Sequence, residues 1–450
     1  MKKTLAVCLL TTCLTVWTTI PTFAILEHKS KTEQTTILDD INYDWWKNLN
    51  DSYLEKYIAT AINKNNDIKT AKLKLEQANI NIMQARVGQL PTLSIGTAPA
   101  VAKFPNSTTS QGSIAIPIIA SYELDLFGKN WDKTKSAKKM YEAQRFQTQS
   151  VNISIVSMVA TVYYNIVKLD KIIQIQEQLV QDRKQIYDLM KLSNQEGIAS
   201  TSDLIIADKS YAMSVNDLLD YKKARENALN ALAVLIGDSP ENKNEYERIS
   251  ADELGINFNI PESISGEIIV NRPDYKAVEK QLEAMGINIR VAKKEFLPTI
   301  NILGLLTFLA TSSMSSMDWK NAIAAGMANV DLPIFTGFAR VANLKMNKNK
   351  FEQLSEQFKK TNIVAIQEVN DSLYNLKSDN EKLLNNIKIY DMQKRDFNFV
   401  TSKYQKGVIS KLDMLQQKEA LSYIEILMLQ SKMNCYIDRI SLYKTTGAKI

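Results

Sequence analysis

The stretch Val400-Thr401-Ser402-Lys403-Tyr404-Gln405-Lys406-Gly407-Val408-Ile409-Ser410-Lys411-Leu412-Asp413-Met414 has a counterpart in Met190-Lys191-Leu192-Ser193-Asn194-Gln195-Glu196-Gly197-Ile198-Ala199-Ser200-Thr201-Ser202-Asp203-Leu204. Each holds one glycine with an aspartate six residues on, Gly407 with Asp413 and Gly197 with Asp203, and the two sets are 210 residues apart. Between Gly128 and Gly237 the only glycine is Gly197, and between Gly337 and Gly447 it is Gly407. No proline lies between Pro117 and Pro240, or after Pro333. Glycine and proline are the strongest breakers of regular structure. Each stretch therefore reads as a very long helix, a single turn and a second long helix.

The composition agrees. Only 14 of 450 residues are glycine, and the formal charge is a mild +6. No basic run interleaved with aromatics is present, which argues against nucleic acid as a partner. Lys2 and Lys3 precede an apolar run, and Thr22-Phe23-Ala24 is an acceptable cleavage site, so residues 1–24 read as a signal peptide. A lipoprotein signal would use Leu10-Thr11-Thr12-Cys13, but it is very short and threonine is a poor residue before the cysteine; no lipid anchor is expected. Cleavage after Ala24 removes Cys8 and Cys13 and leaves Cys435 as a small core residue, with no disulfide possible. His28 is the only histidine. A metal site rich in histidine and histidine acid–base chemistry are thereby excluded, and no cofactor is expected. A membrane-spanning helix needs roughly 18 or more apolar residues in a row. No such run follows residue 24, so any insertion into a membrane must use strands.

Residues 25–52 read as an extended N-terminal segment, with Asp44-Trp45-Trp46 opening the ordered part. Leu54, Ile58, Ile62, Ile68, Ala71, Leu75, Ala78 and Ile82 have helical spacing over 53–90, with Asp67 a fair N-cap. The same pattern recurs 207 residues later. Asp67-Ile68-Lys69 matches Asp274-Tyr275-Lys276, Ile80-Asn81-Ile82 matches Ile287-Asn288-Ile289, and Leu90-Pro91-Thr92 matches Leu297-Pro298-Thr299. The chain is read as a duplication, with one repeat over 53–236 and another over 273–447, joined by a linker or equatorial region at 237–272.

After each Leu-Pro-Thr the period changes from helical to alternating. Ile114, Ile116, Ile118, Ala120, Tyr122, Leu124 and Leu126 alternate with a more polar set, which predicts a strand with one apolar face. Paired with 92–102, it makes a hairpin over 91–127; segments 299–310 and 322–332 make a second over 298–335. In the second, Leu303, Leu305 and Leu309 weaken the polar face. Pro117 is in tension with a paired strand. Four such strands suit a tilted membrane sheet or a soluble one. Helices are expected over 129–192 and 338–404, the first about 95 Å long at 1.5 Å per residue, with returns over 201–236 and 410–446. Val369, Leu373, Leu376, Leu383 and Ile387, and Val151, Ile155, Met158, Val162, Ile166 and Ile173, have coiled-coil spacing. Ser202 and Asp203 are candidate caps after the first turn. Lys129, Lys133, Lys135, Lys138 and Lys139 read as a solvated helix face.

In this order, Asp44-Trp45-Trp46, the duplicated Leu-Pro-Thr, Glu123-Leu124-Asp125-Leu126-Phe127-Gly128 and Lys403-Tyr404-Gln405-Lys406-Gly407 with Leu412-Asp413 resemble the TolC-like outer-membrane factor family, in its efflux branch. The resemblance implies a mainly α fold with a β-barrel part: a long coiled-coil helical tunnel, plus four transmembrane strands per protomer in a homotrimer. It further implies a periplasmic adaptor and an inner-membrane pump as partners, and outer-membrane lipid around the strands.

Asp413 and Asp203 admit two readings, a cap at a helix dipole or part of a constriction. In members of the resembled family, acids six and nine places after the tip glycine ring the channel mouth. Here those places hold Asp413 and Gln416, while Tyr404 matches a gate tyrosine that could equally close the helix seam. Asp203 is the counterpart in the first turn. Ile409 stands where an arginine lock is found in some relatives. Gly197, Ala199, Ser200, Gly407, Val408 and Ser410 are candidate adaptor contacts. Glu123, Asp125 and Asp331 face inward by parity, either tuning cation passage or simply paired. No nucleophile–base pair or phosphate-binding loop is present, so an enzyme is not expected. The preferred function is a passive exit duct; the alternative is a coiled-coil structural protein that transports nothing.

Overall fold

The computed structural model describes residues 44–102, 111–242, 246–256, 258, 260–311, 319 and 322–447. The expected signal peptide, the segment 25–43 and most of the two polar loops between strands lie outside the described residues. The element order is α1 (Ser52–Lys64), α2 (Asn66–Arg86), β1 (Thr92–Ile95), β2 (Ala98–Ala102), β3 (Gln111–Leu124), α3 (Lys129–Gln195), α4 (Thr201–Ile236), α5 (Glu267–Val270), α6 (Pro273–Lys294), β4 (Thr299–Thr311), β5 (Ala322–Asp331), α7 (Ala339–Gln405) and α8 (Lys411–Thr445). Both long outgoing helices have 67 residues.

The segment expected to be extended up to residue 52 instead turns as a 3-10 helix over Trp45–Leu49. Trp45 is buried and stacks on Tyr443, ring centroids 5.0 Å apart, which ties the start of the described chain to the end of α8. The single helix expected over 53–90 is two. Asn65, at ψ 133°, ends the first, and its side chain caps the second by accepting from the amides of Asp67 and Ile68 at 2.8 and 3.0 Å. Its side-chain Nδ2 also donates to the Leu235 carbonyl at 2.8 Å. Asn65 is therefore the cap, not Asp67. That choice is tertiary, because the same side chain also closes the end of α4. Beside it, Gly237 (φ +73°) runs so close to α1 that a Cβ would sit 2.6 Å from the Lys64 carbonyl oxygen.

The strands form one antiparallel sheet in the order β1–β3–β4–β5, with β2 also on β3. Segment 92–102 was expected to be continuous and is broken at Gly96-Thr97, opposite Ile116 and Pro117. The Gly96 amide donates to the Pro117 carbonyl at 3.0 Å. Proline has no N–H to return that bond, so the ladder lapses there and resumes in the same register. On the other side Pro117 opposes Thr307 within an unbroken ladder.

The register sorts the side chains. Directly opposed residues share a face. One face then carries Leu93, Ile95, Ile114, Ile116, Ile118, Ala120, Tyr122, Ile300, Ile302, Leu306, Phe308, Ala324, Ala328 and Val330. The other carries Thr92, Ser94, Ser121, Glu123, Asn301, Thr307, Asn329 and Asp331, with Ile119, Leu303 and Leu305 among them. Leu93, Ile95, Ile302 and Val330 are exposed in the isolated chain.

The helical part is not a pair of two-helix seams. α3 packs against α1, α2, α4, α6 and α8, whereas α7 packs against α5, α6 and α8. Accordingly α3 buries Val156, Val159, Tyr163, Tyr164, Val167 and Ile172 beyond the seam residues Ile155, Ile166 and Ile173, while the expected seam residue Met158 is exposed. An 18-residue window of α3 has a mean hydropathy of 1.4, enough by composition to cross a membrane, yet 61% of it is buried inside the protein. The second hairpin has its own core of Leu376, Leu383, Cys435 and Leu442. Cys435 is fully buried, and burial pushes its thiol up to about 12, which keeps it inert. The linker is strapped down: Tyr57 Oη donates to the Glu247 carbonyl at 2.8 Å, Lys432 Nζ to that of Ala251 at 2.9 Å and Tyr436 Oη to that of Gly255 at 3.1 Å.

Burial, and then the neighbouring Asp379, raise the Asp438 carboxyl from 3.8 to about 6, with the Lys382 ammonium opposing. The folded chain thus holds a proton at this site that the unfolded chain has lost between about pH 4 and 6. The contribution of this group to stability falls as pH rises through that window, and the cost persists above it. Asp438→Asn is expected to flatten this dependence, measured as unfolding midpoint against pH from 4 to about 8. A difference in midpoint between wild type and Asp438→Asn that stays constant across the window would refute it.

Candidate functional site

The two turns are the same object built twice. At the first, the Gly197 amide donates to the Asn194 carbonyl at 3.1 Å and the Ile198 amide to that of Ser193 at 2.8 Å. At the second, Gly407 donates to Tyr404 at 2.9 Å and Val408 to Lys403 at 2.9 Å. This crossed pair of bonds closes the last carbonyls of a helix around a left-handed residue. Both glycines sit at φ +72°, with open space where a Cβ would be, so glycine is needed for its backbone and not for clearance.

The residue after each glycine is apolar and projects outward: Ile198 is 82% exposed and Val408 67%. The sequence reading picked out Val408 and passed over Ile198, although the 210-residue offset pairs them. The return helices start with capping boxes. Asp203 N donates to Ser200 Oγ at 3.1 Å and Ser200 N to Asp203 Oδ2 at 3.3 Å; the matching bonds of Asp413 and Ser410 are both 3.1 Å. The first cap is therefore Ser200, with Asp203 three residues in, and Ser202 takes no part in it. Both aspartates also lie at a helix N-terminus, where the dipole favours their charge.

The turns differ in two bonds, one of them from the Ala199 amide to the Ser193 carbonyl at 3.1 Å. Asn194, at the place of Tyr404, donates its side-chain amide across the turn to the Ala199 carbonyl at 3.0 Å. Tyr404 is half-buried, whereas Asp413 and Gln416 are exposed. The hairpins lie side by side, and Ala199, Asp203 and Gln416 line one groove of about 560 Å³ together with Ile198, Ile206 and Leu412. Tyr404 and Asp413 lie outside that lining.

A clasp whose Arg183 and Glu419 line the groove was not read from the sequence. Lys418 Nζ donates to Asp182 Oδ1 at 2.8 Å, and Arg183 Nε to Glu419 Oε1 at 2.7 Å, joining α3 to α8. Its only signal is the reciprocal order of two dipeptides, Asp182-Arg183 and Lys418-Glu419, which nothing local distinguishes from solvated charges. Asp182 is almost fully buried, so its charge needs Lys418.

At the other end of the long helices, Glu123 pairs with Lys129 at 2.6 Å, and the Trp131 amide donates to Asp125 Oδ2 at 2.8 Å, closing the start of α3. Asp331 ends β5 opposite Thr299. Two of the three acids read as possible lumen charges thus already serve local structure.

Removing a capping serine costs about 1 kcal/mol at a helix start. Ser410→Ala is expected to speed amide exchange in the first turn of α8 about fivefold, while Asp413→Asn, which keeps an accepting oxygen, changes it less. Equal exchange in Ser410→Ala and wild type would show that the box does not hold that turn.

Comparison with known proteins fits this geometry. The sequence model for the outer membrane efflux protein family matches residues 57–238 and again 264–448. The toluene efflux pump outer membrane protein TtgC of Pseudomonas putida is 24% identical over 417 residues, covering 90% of this chain and 84% of the relative. The cation efflux system protein CusC of Escherichia coli is 25% identical over 412 residues, covering 90% and 89%. The Campylobacter jejuni CmeC outer membrane channel shares the fold with a TM-score of 0.83 at 22% identity, over 91% of this chain and 88% of that one. Matched in both halves, the chain belongs to the outer membrane efflux protein family and is a protein of the outer membrane.

Proposed function

We propose that this chain is the exit duct of a tripartite efflux complex, passing substrates from a periplasmic adaptor and an inner-membrane pump to the exterior without chemistry of its own. The observation that carries the reading is the sheet. Its whole outer register is apolar, and among the described residues the outer edges of β1/β2 and of β5 are unpaired. Lipid offers backbone groups no hydrogen bonds, so strands span it only as a closed barrel. Four strands are too few to close, and copies must be set edge to edge.

The helices support the same assembly. α2 exposes Leu73, Ile80 and Met83 in a single stripe that Val87 continues just past its end, and α7 at the opposite edge exposes Ile366, Tyr374, Leu384, Ile389, Met392 and Phe399. Such complementary edges make a head-to-tail ring, which we take as a homotrimer. We also take 53–236 and 273–447 as its two repeats, 237–272 as an equatorial belt and 1–24 as the export signal.

The turns then form the periplasmic mouth. Asp413, Gln416 and Tyr404 are its constriction residues, with Asp203 in the companion turn, and Asp331 remains a lumen charge. Gly197, Ala199, Ser200, Gly407, Val408 and Ser410, joined by Ile198, meet the adaptor. Named relatives handle toluene and cations; a passive duct takes whatever its pump supplies, so cargo choice belongs to the pump.

The test is mass in detergent with conductance in a planar bilayer. A trimer with stepwise conductance is expected, and Asp413→Asn is expected to weaken its cation preference about twofold while Ser410→Ala leaves it unchanged. A monomer that needs no detergent and shows no steps would favour the non-transporting coiled-coil scaffold. For docking, the paired change Gly197→Arg and Gly407→Arg is expected to abolish crosslinking to the adaptor and efflux in cells. Crosslinking and efflux that survive it would remove the turns from the contact.

A further inference from the structure

Where the sheet becomes helix, α3 presents four different sides in its first two turns. Asn130 and Thr134 face α2, bonding the carbonyls of Gly88 and Ala85 at 2.9 and 3.2 Å. Asp132 and Ser136 face α6: Lys294 donates to Asp132 at 2.8 Å, and Ser136 to the Ala284 carbonyl at 3.2 Å. At 100° per residue these pairs centre about 160° apart, so α3 is held from both flanks and open on the other two. Lys129 and Lys133 lie on one open side. Lys129 pairs with Glu123, a residue of the polar sheet face. Trp131, Lys135 and Lys138 centre about 180° from them, on the side of the apolar sheet face.

The stripe is repeated. At the 210-residue offset of the turns, Trp131, Lys135 and Lys138 become Val341, Lys345 and Lys348 at the start of α7. α7 turns Phe351 and Phe358 toward Gly286 and Tyr275 of α6, and Val341, Lys345 and Lys348 lie about a quarter turn from them. All six residues are exposed, and the four lysines have no ion pair among the described residues. The lysines of the opposite side do not recur: Lys129 and Lys133 become Ala339 and Asn343. The acids Glu142 and Glu352 follow one turn farther from the sheet, and Glu142 is held by Lys139 at 2.9 Å. Exposed Phe127, Phe335 and Phe338 lie at the level of the strand ends.

We propose that Lys135, Lys138, Lys345 and Lys348 form a collar that binds anionic phospholipid headgroups of the membrane leaflet next to the helices. The charge is complementary, the stripe continues the apolar sheet face, and the aromatics mark the boundary between hydrocarbon and headgroups. Lys135 and Lys138 lie about 6 and 10 Å along the helix from Trp131, and flexible stems let their ammonium groups reach up to the phosphates. The lysines read as merely solvated thus divide: Lys139 pairs with Glu142 and with Glu283 of α6, and of the other four the duplication keeps only the outward pair. The collar rests on the reading of the sheet as membrane-embedded.

The test uses full-length protein in mixed vesicles and compares spin-labelled phosphatidylglycerol with spin-labelled phosphatidylcholine in the lipid shell around it. Wild type is expected to favour the anionic lipid about fivefold, on the scale of one lysine at an anionic surface, and to lose the preference in about 0.5 M salt. The variant Lys135→Gln/Lys138→Gln/Lys345→Gln/Lys348→Gln is expected to show no preference. The matching Lys→Arg variant and Lys133→Gln are expected to keep it. A wild type without preference, or a glutamine variant that retains it, overturns the collar. Conductance recorded from the same samples separates this outcome from failure of the duct, since a conducting protein without lipid preference sinks only the collar.

Discussion

A peptide group in hydrocarbon has no water to bond. That constraint bears on β1/β2 and β5, whose outer edges are unpaired among the described residues. It turns an unremarkable four-stranded sheet into one third of a closed ring. It also explains why Pro117 is tolerated: its missing N–H falls on one bond between β3 and the β1/β2 edge, and Gly96 still donates to its carbonyl. The ladder between β3 and β4, which joins the two hairpins, is intact. The weak point lies away from that joint.

At the first junction below the sheet, polar side chains hold the change from strand geometry to helix geometry. Asp125 takes the Trp131 amide, Lys294 reaches both Asp132 and the Gly128 carbonyl, and Asn130 reaches back to Gly88. The backbone turns at Gly128 (φ +67°) in the first repeat and at Phe338 (φ +64°) in the second, 210 residues on. A phenylalanine in left-handed conformation is strained, and its ring lies exposed against Phe335 with centroids 5.7 Å apart. The two repeats share a path but not the residues that ease it.

Much of the architecture was legible because its signals are local. Lone glycines inside proline-free stretches mark turns, and a change of period from helical to alternating marks strands. The caps were half legible. Ser200 with Asp203, and Ser410 with Asp413, carry the spacing of a capping box, yet Ser202 looked equally suitable until the backbone showed which serine was extended. Asn65 was hidden, because its selection over Asp67 depends on the Leu235 carbonyl 170 residues away. The clasp of Asp182 and Arg183 with Lys418 and Glu419 was hidden for the same reason.

The sequence by itself determined the duplication, the types of the long elements and the position of both turns, since periodicity and breakers act over a few residues. The tertiary structure alone decided which faces meet. It put α3 in the middle of the helical layer and α7 at its edge, although both are 67 residues long with similar spacing. It gathered the even positions of β3 and β4 with the odd positions of β1 into one apolar face. It also set four neighbouring lysines on two opposite sides of a helix and turned the fifth, Lys139, to Glu283 of α6. Register and packing are relations between distant segments, and a helix carries no local mark of which of its sides a neighbour will cover.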